Sequence, residues 1–216
     1  MTTKDVSLLQ LHDVNNYLRS EANGTPLAIT NASHLHGLAA GLKHGEVIVD
    51  GKAGDYLGVL NAGATIHAKG DVGNYLADNM TTGTVIVDGN AGFGAGEYCY
   101  GGNVIVHGNA GDFTATMNKG AVIIVKGDVG NEVGTYMLKG DLVVVGNAGD
   151  NFANYLIRGA AYVGGMVGSL GHNTKVVPLT DEDVQKLQGY FEKYGIEADA
   201  TSFKKIMAAS EKPFYN

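Results

Sequence analysis

The sequence predicts an all-β solenoid, a rod of about seven 19-residue coils with short α-helical caps at both termini. Three observations carry that prediction. The pattern GxxG recurs at Gly51 and Gly54, Gly70 and Gly73, Gly89 and Gly92, Gly108 and Gly111, Gly127 and Gly130, Gly146 and Gly149, and Gly165 and Gly168, each step 19 residues with no insertion. Two apolar columns run through the repeat with the two-residue alternation of a β-strand. The chain holds 33 Gly and only 3 Pro in 216 residues, about twice the average glycine share but without the G-X-Y period of collagen.

The elements follow in order. Residues 1–26 form an N-terminal capping segment, in which Asp13-Val14-Asn15-Asn16-Tyr17-Leu18 predicts a short helix ending near Gly24. The solenoid takes residues 27–175. Leu27-Ala28-Ile29-Thr30 lies in phase with Val47-Ile48-Val49 and reads as a worn eighth copy acting as a cap. One strand column is Val47, Ile66, Val85, Val104, Ile123, Leu142 and Ala161; two residues on comes Val49, Ala68, Val87, Val106, Val125, Val144 and Val163. Between the paired glycines sit Ala53, Val72, Ala91, Ala110, Val129, Ala148 and Val167, small enough for a narrow interior. Asp or Asn flanks that residue, and glycine with Asn/Asp suits left-handed backbone at corners. A second glycine series, Gly45, Gly63, Gly83, Gly102, Gly120, Gly140 and Gly159, precedes each apolar run at spacings of 18 to 20. Strands about 4.8 Å apart give a rod of about 34 Å. Residues 176–216 form a C-terminal helical cap. Thr180 is the N-cap of a helix with the stripe Val184, Leu187, Phe191 and Tyr194 and a stop at Gly195. A second short helix is expected to carry Phe203, Ile206 and Met207.

Bulk properties narrow the function. A net charge of −7 argues against a nucleic-acid partner. The single cysteine, Cys99, cannot form an intramolecular disulfide, and no signal-like segment or membrane-length apolar run is visible, so a cytoplasmic location is expected. The octapeptide GNAGFGAG at 89–96 resembles the opening of a dinucleotide loop, but it is one copy of the repeat rather than a unique loop. Cys99 has no histidine in phase, and without a CxxC neither a zinc nor an iron–sulfur site is expected. His34, His36 and His44 form the only histidine cluster and read as surface polar groups. The Asp/Asn columns read as turn-forming ladders rather than a calcium β-roll, whose period is nine, and the hexapeptide period of acyltransferase solenoids is missing. No catalytic, cofactor-binding or metal-binding residue is assigned.

One outward column breaks the polar pattern. Ile48, Ile86, Ile105, Ile124, Val143 and Tyr162 share the parity of outward residues such as Asp50, Lys69, Asp88, His107 and Lys126, with only His67 polar among them. Such a strip is expected to be covered. The chain's own terminal helices or another polypeptide could cover it.

The unit GxxGxxxG, as in Gly51-Lys-Ala-Gly54-Asp-Tyr-Leu-Gly58 and Gly127-Asp-Val-Gly130-Asn-Glu-Val-Gly134, resembles the third domain of the glutamate synthase large subunit and its stand-alone homologues, including the β-helix subunit of N-methylglutamate synthases. Asp13-Val14-Asn15, Ala77-Asp78-Asn79-Met80 and Gly168-Ser169-Leu170-Gly171 extend the resemblance over about residues 5–175. The last glycine alternates with Ala77, Ala115 and Ala153, and is His172 in the seventh coil. The resemblance implies a right-handed, non-catalytic β-helix. It would hold a class II glutamine amidotransferase subunit and an FMN-dependent glutamate synthase-like subunit in register, with FMN and the iron–sulfur cluster on the partner and ammonia or methylamine as donor to 2-oxoglutarate. A homo-oligomer is left open. Two other readings also stay open: a structural component like the related solenoid of formylmethanofuran dehydrogenase, and an independent ligand-binding β-helix.

Overall fold

The computed structural model describes residues 1–22, 24–210 and 212. Its centre is one sheet of eleven strands, formed because each coil lays the same short β-branched run against that of the coil before it. β1 (Thr2–Asp5) and β2 (Leu27–Thr30) start the sheet. The strands β3 (Glu46–Asp50), β4 (Ala62–Ala68), β5 (Thr82–Val87), β6 (Asn103–Val106), β7 (Lys119–Val125), β8 (Lys139–Val144) and β9 (Ala160–Val163) follow in spatial order, all parallel. Val47 pairs with Ile66, Ile66 with Val85, and Val85 with Val104, so the 19-residue step of the sequence is the register of the sheet. The fold is therefore a β-solenoid of about seven turns. On the far side of each coil, Ala53, Val72, Ala91, Ala110, Val129, Ala148 and Val167 form a second line of parallel bridges. The two strand columns point inward and are fully buried.

The two glycine series have different causes. Of the GxxG glycines only Gly51 has a left-handed φ, which corrects the corner role that the sequence suggests for the rest. Neither the first members after it (Gly70, Gly89, Gly108, Gly127, Gly146 and Gly165) nor the second members (Gly54, Gly73, Gly92, Gly111, Gly130, Gly149 and Gly168) adopt that backbone. Close approach explains them instead. A Cβ at Gly108 or Gly127 would come within 2.8 Å of backbone atoms of the preceding coil. At Gly73, Gly111 and Gly149, which are only half-buried, it would come within 2.9 Å of the backbone of Asp55, Gly92 and Gly130 respectively. In the second series, from Gly45 to Gly159, every glycine has a positive φ.

The uneven spacing of that second series also has a cause. Strand pairing shifts register between Ala62 and Thr65 and again between Lys119 and Val122, next to the early glycines Gly63 and Gly120. Buried Asn61 and Asn118 hold these two bulges. Asn118 donates from Nδ2 to the Ala121 carbonyl (2.9 Å), while its Oδ1 accepts from the Gly120 (3.1 Å) and Ala121 (2.8 Å) amides. Asn61 does the same at Ala64.

The Asp/Asn columns knit successive coils. Asp71 Oδ1 accepts from the Asn90 amide, Asn90 from Asn109, Asn109 from Asp128, Asp128 from Asn147 and Asn147 from Met166, at 2.7–2.9 Å. Each carboxylate or amide oxygen thus satisfies an N–H one coil further on, at the corner where the sheet ladder is interrupted.

Both ends of the rod are closed by the chain. α1 (Leu11–Glu21) sets Val14 and Leu18 against the core, while β2 extends the sheet in phase with β3 and β1 adds a further parallel strand. At the other end, α2 (Asp181–Tyr194) begins in a capping box at Thr180 and Asp183 and ends at left-handed Gly195. The expected second helix is instead a three-residue 3₁₀ turn, Ala200–Ser202, followed by β11 (Lys204–Ala208). Phe203, Ile206 and Met207 carry helical spacing, but β9 leaves an open edge, and β11 satisfies it by pairing antiparallel. β10 (Thr174–Val177) then pairs with β11.

Candidate functional site

The outward aliphatic strip is divided in two by α2. Ile105, Ile124, Val143 and Tyr162 are fully buried with Leu187 and Phe191 of α2, Ile196 and Phe203, and Ile86 packs at the edge of this cluster. A polar latch sits beside it. Tyr162 donates its hydroxyl to Asp183 Oδ1 at 2.7 Å, and Lys205 Nζ reaches both carboxylate oxygens of Asp183 at 2.8 Å. Tyr190 donates to Asp141 Oδ2 (2.8 Å), and Lys186 Nζ pairs with the same carboxylate (3.3 Å). Burial opposes ionisation of Asp183, but Lys205, the Thr180 amide and Tyr162 outweigh it and hold the carboxyl well below the usual range. Ile48, His67 and Ile86, in the first coils, remain only partly buried. His67 Nε2 lies 2.8 Å from Asp88, whose second oxygen is 3.4 Å from Lys69. The rod therefore offers a half-exposed apolar and polar stretch where α2 stops.

A second face runs along the return segments. Three left-handed positions, two residues apart, recur in most coils; in the second coil they are Tyr75, Ala77 and Asn79. The first of them carries an aromatic ladder. Tyr56 stacks on Tyr75 at 4.8 Å, Tyr75 meets Phe93 at 5.5 Å, and Phe93 meets Phe113 at 5.0 Å. In the third coil the left-handed position is Gly94, and Phe93, one residue earlier where the neighbouring coils have Asn74 and Asp112, continues the ladder. The third position carries Tyr98, Tyr136 and Tyr155, of which Tyr136 and Tyr155 stack at 5.5 Å. Lys119 lies over the Tyr100 ring at 4.1 Å. Tyr56, Leu60, Phe93, Tyr100 and Tyr136 are among the exposed large apolar side chains of the protein. The 19-residue columns contain these rings, and the strand and corner columns alone do not reveal them as a face.

Between the two aromatic lines lie Asp78, Glu97, Thr116 and Thr135, one per coil. Burial raises the Glu97 carboxyl to about 7, with the Asp78 carboxylate adding to the effect. Asp78 is raised by burial as well. The Thr116 hydroxyl is buried without a hydrogen-bond partner among the described residues.

In the third coil this geometry is spelled by Gly92-Phe93-Gly94-Ala95-Gly96, with Gly94 and Gly96 both left-handed at φ 69° and 72°. The signature of the GXGXG motif matches residues 12–214. The chain belongs to the GXGXG motif family. That family is found in glutamate synthase-type proteins, so this GXGXG rod has a general relation to them. No curated protein matches the chain.

Within the GXGXG rod the alternation of the last motif glycine follows core volume. A Cβ at Gly58 would touch Ile66, one at Gly96 would touch Ile123 and one at Gly134 would touch Leu142, the three largest members of the first strand column. Ala77, Ala115 and Ala153 keep a left-handed φ and are fully buried. The residues weighed for chemistry lie apart. Cys99 is buried, donates to the Ala77 carbonyl at 3.1 Å, and burial pushes its thiol up to about 12. His36 accepts from the Asp55 amide, His34 lies by the Leu9 carbonyl and His44 by that of Ala22, so the three turn to separate partners. Among the described residues no group of three or more His, Cys, Asp or Glu could hold a metal ion, and no helix is long and apolar enough to cross a membrane.

Proposed function

We propose that this protein is the non-catalytic β-helix scaffold of a glutamate synthase-type complex. In this reading it holds a class II glutamine amidotransferase subunit and an FMN-dependent synthase subunit in register, so that ammonia or an amine passes to 2-oxoglutarate. The observation that carries the proposal is the GXGXG signature over residues 12–214, repeated in fixed register through the rod. Two surfaces support it. One is the stretch around Ile48, His67 and Ile86, and the other is the aromatic return face. Exposed apolar lines of this kind suit protein contacts. The stacked rings turn their faces to one another, which makes them poor platforms for a sugar. FMN and the iron–sulfur cluster are assigned to the partner. A cluster needs several thiolates, and this chain has one cysteine, which is buried.

Affinity purification from the native host tests the proposal, read by mass spectrometry and an absorption spectrum. Co-purification of an amidotransferase and a yellow flavoprotein is the expected result. A colourless, solitary protein at low and high salt alike would overturn it.

A further inference from the structure

We infer that the polar line between the two aromatic lines receives an arginine side chain of a partner polypeptide, with its guanidinium on Glu97 and Asp78. These two carboxyls stand at the same place in successive coils, and Thr116 is next in line. The Asn79 amide donates to the Glu97 carbonyl at 3.0 Å and the Tyr98 amide to the Thr116 carbonyl at 2.9 Å, which ties the coils together there. Each of the three residues lies between two left-handed neighbours, so their side chains leave the rod in the same direction, about 4.8 Å apart.

The chain leaves this line unfilled. Glu97 is buried, yet among the described residues its carboxyl makes no hydrogen bond, and burial and Asp78 alone act on it. Among those residues the sealed polar atoms without a partner are Thr116 Oγ1 and Tyr194 Oη, so the unpartnered oxygens of Glu97 still reach solvent. Asp78 accepts from Asn79 Nδ2 at 2.9 Å, and none of the ion pairs among the described residues involves Asp78 or Glu97. Lys119 acts on Asp78 but not on Glu97, because its Nζ is held by the Tyr100 hydroxyl at 3.0 Å. Two coils further on, the same groove shows a filled counterpart. There the Glu132 carboxylate accepts from the Thr135 hydroxyl at 3.1 Å and from Asn151 and Asn154 Nδ2 at 2.8 and 3.2 Å. Beside Glu97 the places of Asn151 and Asn154 are taken by Phe113 and Thr116, and no side-chain N–H is supplied.

Two carboxyls without a donor call for a cation that carries several N–H groups. A guanidinium offers five in one plane, enough to bridge both carboxyls. It is also more weakly hydrated than an ammonium, which suits the rim made by Tyr75 and Tyr98. The exposed rings of Tyr56, Phe93 and Tyr100 on either side give contact area that a free guanidine would leave unused, and arginine among aromatic rings is typical of interface centres. This is the return face of the scaffold reading, and the inference rests on that reading only for which subunit carries the arginine.

The test needs no partner subunit, so its failure leaves the scaffold proposal standing. The full chain is titrated at pH 8 and constant ionic strength with the blocked peptide acetyl-Ala-Arg-Ala-amide, its lysine counterpart and methylguanidinium, and read by NMR. The arginine peptide should shift the amides of Asp78, Asn79, Glu97 and Tyr98 saturably, and the other two should bind several-fold more weakly. Glu97→Gln should weaken the arginine peptide by about tenfold. Asp78→Asn, at a half-buried position, should weaken it in the same direction and serves as a second probe. No saturable shift in the folded wild type up to about 20 mM peptide would overturn the inference. So would unchanged affinity in both variants, a lysine peptide that binds equally well, or methylguanidinium that binds as tightly as the arginine peptide.

Discussion

Glu97 should make the rod less stable as pH rises through neutrality. Its residue is 8% exposed, and its carboxyl carbon lies over Gly94 beside the Tyr75 ring, close enough that a Cβ at Gly94 would come within 3.0 Å of it. Burial first, and Asp78 second, raise the carboxyl from 4.5 to about 7 in the folded protein. A carboxyl raised on folding makes the native state bind the extra proton between those two values, so stability falls as pH rises through that window and levels off above it. At about 1.4 kcal/mol per pH unit the gap corresponds to about 3 kcal/mol as a ceiling, and roughly 1–2 kcal/mol is expected once solvent screening at the rod surface is allowed for. Glu97→Gln removes the ionisation while keeping the shape. Urea unfolding from pH 4.5 to pH 8 should show the wild type losing stability relative to the variant across the window, on top of a rise common to both from His107, whose imidazole burial holds below its ordinary range. The lowered carboxyls of Asp71, Asp88 and Asp183 act with the opposite sign and below this window. Parallel profiles for wild type and variant would refute the reasoning.

Four further perturbations follow from the packing. Asn118→Ala strips three hydrogen bonds from a buried bulge and should cost roughly 2–4 kcal/mol in chemical unfolding. Ile105→Asp places a charge beneath α2 and should cost about 4 kcal/mol or more, releasing α2 to limited proteolysis; Ile86→Asp, at the edge of the same cluster, should cost under about 2 kcal/mol. Asp183→Asn leaves Lys205 without its anion and should cost about 3 kcal/mol at pH 7. Because the Asp183 carboxyl is lowered on folding, its contribution is present above its ordinary value of 3.8 and lost as pH falls further, so the thermal midpoints of wild type and variant should converge in acid.

Periodicity made most of the solenoid legible in the sequence. A 19-residue step repeated without insertion fixes the register of every strand, because a slip of one residue would turn Val47, Ile66 and their equivalents outward. Local chemistry was equally legible at Thr180 and Gly195, where capping depends on neighbouring residues alone. What the sequence misassigned depended on distance in the chain. Ile206 and Met207 have helical spacing, but the open edge of β9, some 40 residues earlier, made them a strand. Gly73, Gly111 and Gly149 look like corner residues, yet it is the approach of the preceding coil that requires a glycine there. Tyr75 and Phe93 were visible as residues, but only their stacking across coils made a face.

The sequence by itself determined the repeat, its register, the inward columns and the start and stop of α2, since each rests on periodicity or on contacts between near neighbours. Tertiary structure alone decided that α2 covers Ile105 to Tyr162 and leaves Ile48 and His67 partly exposed. It also decided that Glu97 comes to lie over Gly94. Those outcomes depend on where the terminal segments dock and how return segments stack, and no 19-residue period encodes either.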